Sequence, residues 1–99
     1  MHAYDKLFIG GSWVPPASRS TIEVVSPHTE QVVGVVPEGT TADIDAAVAV
    51  ARRTFDSGVW SLAKPTERIA TVQRLAALYA ARMGDMAALI TEEMGSPIT

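Results

Sequence analysis

Few of the 99 residues are of a type that performs covalent or acid–base chemistry. There is no cysteine, which removes thiolate nucleophiles, disulfides and cysteine-based metal sites from this sequence. Glu92-Glu93 is the only adjacent carboxylate pair. Neighbours on a helix point about 100° apart, so the two cannot share one substrate atom as an acid/base dyad; a solvated helix end is the expected role. His2 and His28 are the only imidazoles, one at the terminus and one in a turn, with no acidic residue at ligand spacing around them. Gly10-Gly11 lacks the further glycines and the following helix of a phosphate loop. No serine or threonine lies in a nucleophile elbow or an SxxK motif. Trp13 and Trp60 could stack on a ring, but isolated tryptophans more commonly serve a core or an interface. The expectation is a chain with no catalytic, cofactor-binding or metal-ligating residue of its own.

The elements that carry these residues fall into two halves. Residues 4–36 are rich in β-branched residues and punctuated by Gly and Pro; residues 42–95 are rich in Ala, Leu, Arg and Glu. Lys6 to Ile9 and Ser12 to Val14 read as strands of a hairpin, because Gly10-Gly11 supplies the positive φ angles of a two-residue turn. Pro15-Pro16 ends the hairpin. Thr21–Val25 and Val32–Val36 read as an antiparallel pair around the turn Ser26-Pro27-His28-Thr29. VVGVV is apolar on both faces, so this strand calls for cover on both sides.

Helices are expected at about 42–56, 65–83 and 85–95. Thr41 is the cap candidate for the first, with Asp43 and Asp45 at its positive dipole end. Ile44, Val48, Ala51 and Phe55 form its apolar stripe, and Ser57-Gly58 ends it. Pro65 opens the second, whose apolar face carries Ile69, Val72, Ala76, Tyr79 and Met83, widened by Leu75 and Leu78. Gly84-Asp85 reads as a break, and Gly95 with Pro97 as the last stop. The chain then ends at Thr99 with the start of a new segment, which suggests a fold left incomplete.

Composition narrows the partners. A hydrophobic fraction of 47% with 19% charged residues is that of a globular chain. The formal charge of −3 and the scattered basic residues, with Arg52-Arg53 the only adjacent pair, argue against a nucleic-acid partner. No secretory signal and no apolar run of membrane-spanning length is present, and a soluble cytoplasmic protein is expected.

Four strings, in order and with fitting gaps, resemble the start of the NAD(P)-dependent aldehyde dehydrogenases. Leu7 through Val14 resembles the opening hairpin "lfIgGeWv", and Val24 through Pro37 resembles "v.nP.tgevigxvp". Asp43 through Val48, Ala51-Arg52 and Phe55 through Trp60 resemble "dvdaAvaaAraAFdsgxW". Arg68, Leu75-Ala76, Arg82, Leu89-Ile90-Thr91 and Glu93 through Pro97 resemble "R...l.rlA.lie.r..ela.lit.E.GkP", with Ser96 where the family more often has lysine.

The resemblance implies an α/β fold, with residues 1–99 the N-terminal part of a Rossmann-like coenzyme-binding domain: antiparallel hairpin strands followed by about three helices, incomplete as a fold. It implies an oxidoreductase that turns an aldehyde into a carboxylic acid with NAD or NADP, as a homo-oligomer when full length. In the family a cysteine attacks the carbonyl, hydride passes to the nicotinamide, and a glutamate-activated water releases the thioester, while an asparagine and a backbone N–H hold the oxyanion. None of those motifs occurs here, so this chain alone is expected to be inactive and to bind no coenzyme. Some relatives hold a structural cation near the strand matching Val24-Val25; Val24 offers no side-chain oxygen, and no metal is expected. A free-standing interaction module built from the same elements is the alternative.

Overall fold

A computed structural model describes residues 1–98. Its elements run β1 (His2–Ala3), β2 (Leu7–Ile9), β3 (Ser12–Val14), β4 (Thr21–Val25), β5 (Val32–Pro37), α1 (Thr41–Ser57), α2 (Pro65–Ala80) and α3 (Met83–Met94). The class is mixed α/β.

β2 and β3 form an antiparallel hairpin in which Phe8 faces Trp13. Gly10 and Gly11 sit at φ 65° and 81°, the left-handed pair that the right-handed strand twist requires of a two-residue turn. The turn rests on α1: a Cβ added at Gly10 would lie 3.4 Å from Val50 Cγ1. Trp13 stacks on Tyr4 at 6.3 Å between ring centroids and meets Phe8 at 5.1 Å in a tilted contact.

A second sheet has the order β1-β5-β4. β4 and β5 pair antiparallel from Thr21↔Pro37 to Val24↔Gly34, with a bulge between Val24 and Val25. The turn between them is knitted by Ser26, only 4% exposed, whose Oγ accepts from the backbone N–H groups of His28 (3.2 Å) and Thr29 (3.3 Å). Glu30 closes the turn at φ 60°, a left-handed position that strains any residue with a Cβ.

β1 is absent from the sequence-based expectation. It pairs parallel with β5, His2 opposite Gly34 and Ala3 opposite Val35, extended by Tyr4 N–H donating to Val35 O at 2.9 Å. Gly34 makes room for it: a Cβ there would lie 3.1 Å from the His2 carbonyl oxygen. β5 thus has a strand on each edge, and Leu89 and Glu92 of α3 share a small cavity with His2, Val24, Gly34 and Val36.

α1 is capped one residue earlier than expected, by Thr40. Its Oγ1 accepts from Asp43 N–H (3.4 Å), while Asp43 Oδ2 accepts from Thr40 N–H (2.9 Å) and from its hydroxyl (3.0 Å), a reciprocal capping box. Gly58, at φ 76°, closes the helix by donating to Phe55 O. α2 opens at Pro65 and ends at Ala80; α3 begins at Met83 rather than Asp85. The break between them is made by Arg82 at φ −116°, ψ 12°, and Gly84 is absorbed into the first helical turn.

These elements cover one another poorly. No hydrophobic side chain is buried among the described residues; Phe55 is 62% exposed and Leu75 64%. α2 lies almost free of the other elements. The molecule is a slab of 47 × 37 × 16 Å with a radius of gyration of 17.2 Å, against about 13 Å for a compact chain of this length. Its accessible surface is 7848 Å², about 2,400 Å² more than the roughly 5,400 Å² of a compact 10.5 kDa monomer.

Candidate functional site

The groups weighed for chemistry are dispersed. Glu92 and Glu93 follow each other near the end of α3, and both are exposed. His2, 90 residues away in sequence, meets Glu92 through Nε2···Oε2 at 3.1 Å, a pair that joins β1 to α3 and that sequence spacing could not reveal. Both partners are about half exposed, so the pair is worth only some tenths of a kcal/mol. His28 stays in the β4–β5 turn. No three of His, Asp and Glu converge among the described residues in a way that could hold a metal ion. Trp13 belongs to the aromatic cluster on the hairpin, and Trp60 lies half exposed after α1.

A cleft of about 680 Å³ opens between Tyr4-Asp5, the Pro15–Thr21 connection and Val35 and Pro37 of β5. Its hydroxyl-bearing residues are Tyr4, Ser18, Ser20 and Thr21; Ser18 Oγ donates to Ser20 Oγ at 3.2 Å, and no imidazole or amine lines the cleft to activate either serine.

A dinucleotide's pyrophosphate seats on free backbone N–H groups at a helix N-terminus. Each helix here already carries its own acidic residue in the first turn: Asp43, Glu67 and Asp85. Asp43 is the most committed. Besides the capping box, its Oδ1 accepts from Ala17 N–H at 3.0 Å, so both carboxylate oxygens are engaged. These bonds hold its pKa below the ordinary carboxylate value: the Thr40 N–H contributes most, then the Ala17 N–H, while burial opposes them and the Thr40 hydroxyl adds a smaller lowering. Glu67 Oε2 likewise accepts from Lys64 N–H at 3.3 Å. A phosphate brought to these ends meets a carboxylate first, so the residues present do not fit the coenzyme.

What the surface offers instead is apolar area. Ile44, Val48 and Phe55 on α1, and Ile69, Val72, Leu75, Leu78 and Tyr79 on α2, are all exposed. Arg52 reaches over the Phe55 ring at 5.5 Å, covering part of one stripe.

Residues 13–99 match the model of the aldehyde dehydrogenase family, and the chain belongs to that family. It is 36% identical over 98 residues to 3-succinoylsemialdehyde-pyridine dehydrogenase from Pseudomonas sp, covering 99% of this chain and 20% of that one. It is 37% identical over 94 residues to the NADP/NAD-dependent aldehyde dehydrogenase PuuC of Escherichia coli, covering 95% and 19%. Among solved structures it matches a Mycobacterium tuberculosis aldehyde dehydrogenase complexed with NAD+ at a TM-score of 0.92 and 44% identity, over 97% of this chain and 20% of the other. An aldehyde dehydrogenase from Bartonella henselae matches at 0.93 and 35%, over 99% and 20%. The chain therefore spans about a fifth of the length of these relatives. No helix among the described residues is long and apolar enough to cross a membrane.

Proposed function

We propose that this chain is the N-terminal scaffold of an NAD(P)-dependent aldehyde dehydrogenase, and that it supplies none of the reacting groups. The observation that carries the reading is a conjunction. The elements match those of solved dehydrogenases along nearly the whole chain, yet the sequence holds no thiol, and at the starts of α1 and α2 its own carboxylates, Asp43 and Glu67, already accept backbone N–H groups. In the whole protein, an aldehyde is oxidised to the acid with NAD or NADP by residues outside this segment, in a cytoplasmic homo-oligomer. The segment's part is to pack beside the coenzyme-binding sheet and hold it in shape. A second reading, a free-standing module that docks onto other proteins, draws support from the exposed apolar faces of α1 and α2.

The test is an assay of the purified 99-residue chain with aldehyde and either coenzyme. The expected result is no reduced nicotinamide above the buffer rate and no coenzyme binding. Measurable turnover by this chain overturns the reading.

A further inference from the structure

β1 has a seat shaped for it and only a light hold. It pairs with β5 at two positions, His2↔Gly34 and Ala3↔Val35, whereas β4 pairs with β5 along its whole length. Both β1 side chains are exposed. Three contacts secure it from three sides: Tyr4 N–H donates to Val35 O at 2.9 Å, His2 Nε2 meets Glu92 Oε2 of α3 at 3.1 Å, and the Tyr4 ring stacks on Trp13 of β3. None of them buries a side chain; Tyr4 is 52% exposed and Trp13 57%. Exposed contacts of this kind leave a segment at the low end of local stability.

The seat is Gly34. A Cβ there would lie 3.1 Å from the His2 carbonyl oxygen but 3.7 Å from Val24 Cβ, so a side chain at this position crowds β1 and merely touches β4. The strap lies ahead of residues 13–99, which match the family model, and neither His2 nor Glu92 falls in the four resembled strings. It walls both faces of β5. Ala3 and Tyr4 line the 680 Å³ cleft beside Val35, while His2 and Tyr4 line the cavity beside Gly34 and Leu89. Its departure opens both at once and bares a row of backbone groups along the edge of β5.

We infer that residues 1–5 form a releasable strap. They leave the edge of β5 by turning about Asp5-Lys6, just before β2, while β4, β5 and the hairpin stay folded. Gly34 is the seat, and the His2–Glu92 pair is the clasp. The strap belongs to the segment's own bonds and is independent of the scaffold reading above.

The experiment is amide hydrogen exchange in an aldehyde dehydrogenase that carries these 99 residues in place of its matching fifth, read at Tyr4 and along β4–β5 as urea rises below the unfolding transition. Tyr4 should be protected, yet exchange at least about tenfold faster than the β4–β5 amides and almost independently of urea, because a local opening exposes little surface. Gly34→Ala should speed Tyr4 about fivefold more, and Glu92→Ala about twofold, the clasp being half exposed. Both should leave β4–β5 unchanged, and Glu93→Ala should alter neither. Tyr4 exchange equal to that of β4–β5 in rate and urea dependence overturns the strap, since β1 then opens only with its sheet. A Tyr4 amide as fast as an unfolded peptide's, or one indifferent to both Gly34→Ala and Glu92→Ala, overturns it too. A graft that does not fold removes the scaffold reading instead; the same comparison in the 99-residue chain alone then decides the strap by the same results.

Discussion

Asp43 Oδ1 accepts a hydrogen bond from the backbone N–H of Ala17 at 3.0 Å, joining the start of α1 to the connection after the hairpin across 26 residues. The same carboxylate closes the Thr40 capping box, so one side chain both starts the helix and ties down the connection that leaves the hairpin.

A pH dependence follows from this bond. The pKa of Asp43 is lower in the folded chain than its ordinary value of 3.8, so the unfolded state binds the proton more readily. The stabilisation is present above that value and is lost as pH falls through the lower folded-state pKa. Far-UV circular dichroism followed from about pH 6 to about pH 2 should show helix loss confined to the acid end. In Asp43→Asn the component belonging to this group should vanish, with less helix at neutral pH. An unchanged acid transition in that variant counts against the assignment.

Glu30 sits in left-handed backbone at the position where the resembled family string has glycine. Glu30→Gly should relieve about 1 kcal/mol of strain, less some entropy gained by the unfolded chain. In a folded protein carrying this segment, exchange of the turn amides from Ser26 to Gln31 should slow up to about fivefold. Faster exchange would show that the glutamate is not strained there.

The local parts of the fold were legible because their signals are local. Gly10-Gly11 between apolar triplets is a turn signal, and Ser26-Pro27 marks the next reversal. β1 carried no such signal: two residues pairing in parallel with a strand more than 30 positions away leave no periodicity. The His2–Glu92 contact depends on that pairing and was hidden with it. The cap of α1 falls on Thr40 and not on the expected Thr41, because Asp43 stands three residues after Thr40 and completes the capping box with it. The α2–α3 break was displaced because glycine is tolerated in a first helical turn, leaving Arg82 to make the bend. The demand of VVGVV for cover on both faces was legible, and α3 meets part of it, while β1 pairs along the strand's edge; the family resemblance, carried by four strings, is what gave the surface a meaning.

A chain with no buried hydrophobic side chain among its described residues should behave accordingly. Alone in dilute buffer it should enhance ANS fluorescence and lose structure gradually with urea, without a sharp transition. A cooperative transition with no dye binding would show that the slab closes on itself.

The most direct measurement is a graft. The 99 residues replace the matching fifth of an active relative, and NAD(P)-dependent oxidation of that relative's own aldehyde is compared with the parent. The scaffold account predicts the same substrate and coenzyme preference, with a rate within about tenfold of the parent, since no reacting group has been exchanged. A graft that folds and assembles like the parent yet oxidises nothing would contradict it.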